Sequence, residues 1–219
     1  MRLRLYHERI VALSRQLPAT VSLADVLAPI MAFAAERSAS SSAVDENRAA
    51  LIALTLYVNG WNPATLVPDA REWPRAVRRS VRLTGRRDLA QHFIVSATLA
   101  AAAGTPVAAA AGVYKELSDA RDGSGFSFSD LAADRAGERF GALATQSIES
   151  AREIQRRTRA RLRDADVMPS PAGLADNLSD AEFTRRFGSV GSPAYNSVVE
   201  DITRRILALP LYQVVAPLP

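Results

Sequence analysis

Seven ionisable side chains between Arg86 and Gly141 have types and spacings that chemistry can use: Asp88, His92, Lys115, Glu116, Asp119, Asp130 and Asp134. Asp88 and His92 are four positions apart, Glu116 and Asp119 three, Asp130 and Asp134 four, so on helices each pair shares a face. A histidine among several carboxylates supplies ligands for Zn, Mn or Fe. On that reading His92, Glu116, Asp119 and Asp134 are the metal ligands and a divalent cation is the cofactor. The same groups could act without a metal, because a carboxyl whose pKa is raised by a neighbour can donate or accept a proton near neutrality. His92, Glu116, Asp119, Asp130 and Asp134 are then the catalytic set, with Asp88 and Lys115 in support. The third reading is structural. Asp88 orients His92, Lys115 or Arg121 neutralises Glu116 or Asp119, and Asp130 joins a capping box with Ser127. A satisfied network of that kind can fix the packing of weakly specifying alanine surfaces.

Three helices must bring these pairs together. The spacing predicts helices over about 88–103, 106–120 and 128–140. The uncharged run Phe93 to Tyr114 is as long as a membrane span, but Gly104-Thr105-Pro106 interrupts its middle. Pro106 cannot continue a helix, yet suits the first position of a new one. The run therefore reads as a tight helical hairpin packed through alanine rather than one spanning rod. The polar pairs lie at the start of the first helix, the end of the second and the start of the third. A hairpin places all three at one end.

The remaining chain is predicted helical with polar punctuation. Leu3, Leu5, Ile10, Leu13 and Leu17 recur at helical spacing over 3–17, ending at Pro18. A second helix begins after Thr20 or Ser22 and runs to Arg37, bent or interrupted at Pro29. A third covers 45–58, its early Asp45 and Glu46 favouring the helix dipole and its later part buried. Trp61 and Trp73 stand in a proline-punctuated segment and are expected to pack over the core, with ligand stacking as the lesser alternative. His7 is expected at the surface. A charged helix over 143–165, a short one capped at Ser179 and an amphipathic one over 194–208 complete the chain, with no strand pattern. The fold expected is all-α, a single-domain helical bundle built on the alanine-rich hairpin. Residues 1–83 pack on the core segment 84–142, followed by 143–219.

Bulk composition narrows the function classes. The 219 residues are enough to bury a continuous core. Net charge is +4 and the charges are mostly interspersed, without the concentrated basic face, aromatic platform or module of a nucleic-acid reader. The arginine-rich helix over 152–163 reads as a solvated face, a protein-partner surface or a peripheral contact with an anionic membrane. Cysteine is absent from these 219 residues, which excludes disulfides and thiolate metal sites within them. Lys115 is the single lysine among 27 basic residues. The start, MRLRLYHERIVALSRQL, lacks the apolar run and cleavage site of a signal peptide, so Met1 either opens a cytoplasmic chain or follows a removed signal.

The segment Arg86–Gly141 resembles the YfiM-like predicted periplasmic lipoproteins of bacteria and, more distantly, VanZ-like membrane proteins. The resemblance is carried by Asp88, Gln91-His92-Phe93, Ser96-Ala97, Lys115-Glu116-Leu117 and Asp119. It continues through Gly123-Ser124-Gly125, Ser127, Asp130-Leu131, Asp134 and Gly137. It covers about a quarter of the chain and implies a periplasmic or cell-envelope location and a small helical body, but no reaction. Two functions follow as expectations. One is a soluble envelope protein with a binding or scaffolding role toward an envelope component or protein partner, its polar cluster a buried structural network. The alternative is a hydrolase, metal-dependent or not, acting on an envelope polymer or lipid through the cluster.

Overall fold

The structure, a computed structural model, describes residues 2–103, 125–159 and 161–213. It is mostly helical, as the alanine-rich, strand-poor sequence requires. Helix α1 spans Arg2–Ser14, shorter than expected because the chain turns before Pro18. Helix α2 spans Leu23–Arg37, is capped by the Ser22 hydroxyl, and runs through Pro29 without interruption. Helix α3 spans Ala43–Asn59, capped by Ser42 and ended by Gly60 at φ +71°, a left-handed conformation that glycine adopts without strain. After two short 3-10 turns come α4, Arg87–Ala102, and α5, Phe128–Thr145. The last helices are α6 at Ile148–Arg159, the single turn α7 at Asp164–Val167, α8 at Asp180–Phe187 and α9 at Pro193–Leu207.

Three sequence expectations need correction. The chain does carry strands: β1, Thr20–Ser22, pairs in parallel with β2, Ser80–Arg82, Val21 opposite Val81. Three residues are too few to show an alternating pattern, so no periodic signal could announce them. The charged helix expected over 143–165 is divided. Helix α5 ends at Thr145, Ser147 accepts from the Ser150 amide to start α6 afresh, and α7 follows separately. His7 is not a plain surface residue: its ring lies 5.4 Å from that of Trp73, and Nε2 approaches the Pro74 carbonyl at 2.7 Å.

The hydrophobic core is continuous from Tyr6 to Tyr212 and draws on all three expected segments. At its centre α4 and α5 lie side by side and run in the same direction. Phe93 faces Gly137 and Ala97 faces Gly141 one turn further along both helices. A Cβ on Gly137 would stand 2.1 Å from the Phe93 carbonyl oxygen, and one on Gly141 2.0 Å from that of Ala97. Only glycine permits backbones this close, and the two sit four residues apart on one face. Helix α3 packs on α4 through hydroxyls: Thr55 donates to the Ile94 carbonyl at 3.0 Å and Thr98 to that of Leu51 at 3.1 Å.

The expected hairpin partner over 106–120 lies outside the described residues. Helix α4 does stop at Ala102, just before Gly104-Thr105-Pro106, so the uncharged run does not continue it as one helix. Among the described residues no helix is long and apolar enough to cross a membrane.

Candidate functional site

The parallel pairing of α4 and α5 puts both helix starts at one end, so Asp88 and His92 meet Asp130 and Asp134. His92 Nδ1 lies 3.2 Å from Asp134 Oδ1, and its Nε2 3.7 Å from Asp130 Oδ2. The Ser96 hydroxyl, one turn beyond His92, donates to Asp134 Oδ1 at 2.7 Å. Asp88 does not orient His92 directly. Its carboxylate takes the Arg86 guanidinium, at 3.2 Å from Nε and 2.5 Å from one terminal nitrogen. Lys115, Glu116, Asp119 and Arg121 lie outside the described residues.

Arg86 is the hub that inspection of the sequence overlooked. Besides Asp88 it reaches Asp130 at 3.4 Å and Asp176 at 2.5 Å. Asp176 comes from the loop before α8. That loop is held by a two-residue bridge in which Phe126 and Leu178 exchange backbone hydrogen bonds of 2.9 and 2.8 Å. There Asp176 also accepts from the Ser127 hydroxyl and, at 3.0 Å, from that of Ser129. Ser127 in turn caps α5 by accepting from the Asp130 amide at 3.1 Å, the cap the Ser127–Asp130 spacing predicts. Arg86, Ser96 and Ser129 stand within the motif-rich stretch and could have been weighed. Asp176 is 47 or more positions from each of them and carried no local signal.

Burial and charge set the proton affinities. Burial by itself would lower the His92 pKa. The hydrogen bond that the ring donates to Asp134 and the negative charges of Asp134, Asp130 and Asp88 outweigh it, and the net shift is upward. The Asp130 carboxyl is pushed up by burial, aided by Asp88 and Asp176 and opposed by His92 and Arg86. The Asp88 carboxyl is held down, first by its bond to Arg86. For Asp176, burial would raise the carboxyl, but Ser127, Ser129 and Arg86 together hold it low.

The cluster is not sealed: the side chains of His92 and Asp134 remain 32% and 31% exposed. A histidine between two carboxylates can hold and pass on a proton. Among the described residues, however, no group of three or more His, Asp and Glu side chains is arranged to hold a metal ion. Of the four expected ligands, only His92 and Asp134 are described, and each of them has a partner within the cluster.

Fold and site together define an all-α protein with a histidine–carboxylate–arginine cluster at one end of a parallel helix pair. The chain matches no family model, no curated protein and no solved structure.

Proposed function

We propose that this protein is a binding or scaffolding protein of the bacterial cell envelope, and that its polar cluster is a structural network. One observation carries the proposal: Arg86 gathers Asp88, Asp130 and Asp176, one from α4, one from α5 and one from a distant loop, around a single guanidinium. A guanidinium that ties three elements together rigidifies a packing that small alanine surfaces specify weakly. The envelope location rests on the resemblance of Arg86–Gly141 to the YfiM-like lipoproteins. The exposed Arg152, Arg156 and Arg159 on α6 offer a face for an acidic partner or an anionic membrane surface.

The decisive variant is Asp134→Asn. It weakens the charge-assisted bonds from His92 and Ser96, and a loss of about 1–2 kcal/mol is expected for groups this exposed. For a chain of this size that lowers Tm by about 2–8 °C. Calorimetry checks it, and a variant as stable as the parent would remove the support for a structural role.

A second reading is favoured by the exposure of the cluster and the raised pKa of His92. It is a hydrolase acting on an envelope polymer or lipid, with His92 and Asp130 exchanging protons beside Asp134; Glu116 and Asp119, the other members of the expected set, lie outside the described residues. Under that reading Asp134→Asn keeps Tm and abolishes turnover of a peptidoglycan or phospholipid substrate. Elemental analysis of protein purified without chelator separates its metal-dependent form.

A further inference from the structure

A cavity of about 490 Å³ lies where the end of α3, the middle of α1 and the proline-punctuated segment 61–78 meet. Its size is that of a small-molecule site. It shares no lining residue with the cluster around His92, so its failure would leave the proposed function untouched.

Its lining combines two chemistries. Trp61 and Trp73, both half-buried, supply flat apolar faces. Trp73 is steadied on one side by His7, itself held at the Pro74 carbonyl, while Trp61 has no aromatic neighbour among the described residues. Tyr57 forms part of the wall and is fixed by its hydroxyl donating to the Val77 carbonyl at 3.1 Å. Three arginines, Arg71, Arg75 and Arg78, complete the lining, and none of them has a carboxylate partner among the described residues. Arg78 lies over Gly60, where a Cβ would stand 1.4 Å from its guanidinium, and so faces the carbonyl end of α3. Arg71 and Arg75 are exposed. Among the described residues no carboxylate lines the cavity, although Asp69 and Glu72 are close in sequence.

Some arginines elsewhere on the surface are neutralised, Arg4 by Glu8, Arg156 and Arg157 by Glu153, Arg163 by Asp166, Arg204 and Arg205 by Asp201, whereas the three that line the cavity stand together with no carboxylate among its lining residues. Guanidinium groups bind carboxylate and phosphate through paired, planar donors, and indole faces bind flat rings. We infer that this cavity binds a small organic anion, a ring with an apolar face that carries a phosphate or carboxylate, stacked against Trp61 and anchored by Arg71 and Arg75.

The chain has two tryptophans and both line the cavity, so intrinsic fluorescence of the full chain reports occupancy without a label. Phenyl phosphate and glucose 6-phosphate are titrated beside inorganic phosphate and glucose. A saturable change is expected with at least one ring phosphate, at least about 10-fold tighter than with inorganic phosphate, and none with glucose. Arg75→Gln and Arg71→Gln should each weaken binding about 10-fold, the loss of one charged hydrogen-bond partner, with an unchanged far-UV spectrum. Preference for phenyl phosphate assigns an aromatic anion, and preference for glucose 6-phosphate an acidic sugar. Three results would each overturn the inference: no saturation with either ring phosphate up to about 10 mM, equal affinity for inorganic phosphate, or full affinity in both arginine variants.

Discussion

At the scale of single residues, His92 and Asp130 make opposite demands on their surroundings. The His92 pKa is raised in the folded chain above its ordinary 6.5, so its charged form favours folding. That contribution is fully present below about pH 6.5 and is lost as pH rises through the higher folded value. Urea midpoints should therefore decline from pH 6 upward, and His92→Gln should flatten the decline. The Asp130 carboxyl is also raised, so its contribution belongs to acid pH and ionised Asp130 is held at a cost near neutrality. Asp130→Asn should consequently be tolerated within about 1 kcal/mol at pH 7. Asp134→Asn should be the more damaging, and denaturation of the two variants side by side checks the order.

At the scale of elements, the approach of α4 and α5 governs the geometry of the cluster. Gly137 and Gly141 let α5 settle against the carbonyls of Phe93 and Ala97, and the same registry brings Asp134 to His92 and Ser96. Helix propensity alone favours Ala over Gly by about 1 kcal/mol. At position 141 the added methyl meets backbone, which cannot rotate aside as a side chain would. Overpacking of this kind costs about 1–3 kcal/mol and should exceed the propensity gain. Gly141→Ala is thus expected to lower stability and to shift the His92 ring resonances, measurable by calorimetry and by NMR. A gain in Tm would show that the helices can part without penalty.

At the scale of the whole molecule, a second polar centre joins the N-terminal helices. The Glu46 side chain is fully buried and accepts from Tyr6 and Arg2 of α1, from Arg37 of α2 and from Ser41. Burial would raise its pKa, but those four donors outweigh it and hold the carboxyl down at about 2. Its stabilisation is present above the ordinary carboxylate value and disappears as pH falls toward 2. Glu46→Ala would leave the Tyr6 hydroxyl and two guanidinium groups without their acceptor. Because the arginines are partly exposed, the loss should fall at the low end of about 3–5 kcal/mol. Acid titration of the parent and variant tests this: the parent should resist unfolding to lower pH. Further along, Gln155 donates to Asn47 and Ser38, and Asn47 donates to the Ala144 and Ala151 carbonyls, so α6 is tied to α2, α3 and α5 by buried amides.

Local features were legible in the chain because local forces set them. The helical class followed from alanine content and period, the starts of α2, α5 and α8 from Ser22, Ser127 and Ser179 or their neighbours, and the end of α4 from Gly104-Thr105-Pro106. The meeting of His92 with Asp130 and Asp134 was also within reach, since their spacings place each pair on one face and connectivity places both helix starts together. Asp45 and Glu46 looked equivalent, two acids at the start of a helix, because propensity responds to position along the helix and not to what stands across from it. The same limit hid Asp176, His7 against Trp73, and the β1–β2 pair. Each depends on a partner distant in sequence, and such partners meet only once burial of the core has closed the intervening chain. The arginine hub and the tryptophan-lined cavity therefore belong to tertiary packing, while the helices that carry them belong to the order of the residues.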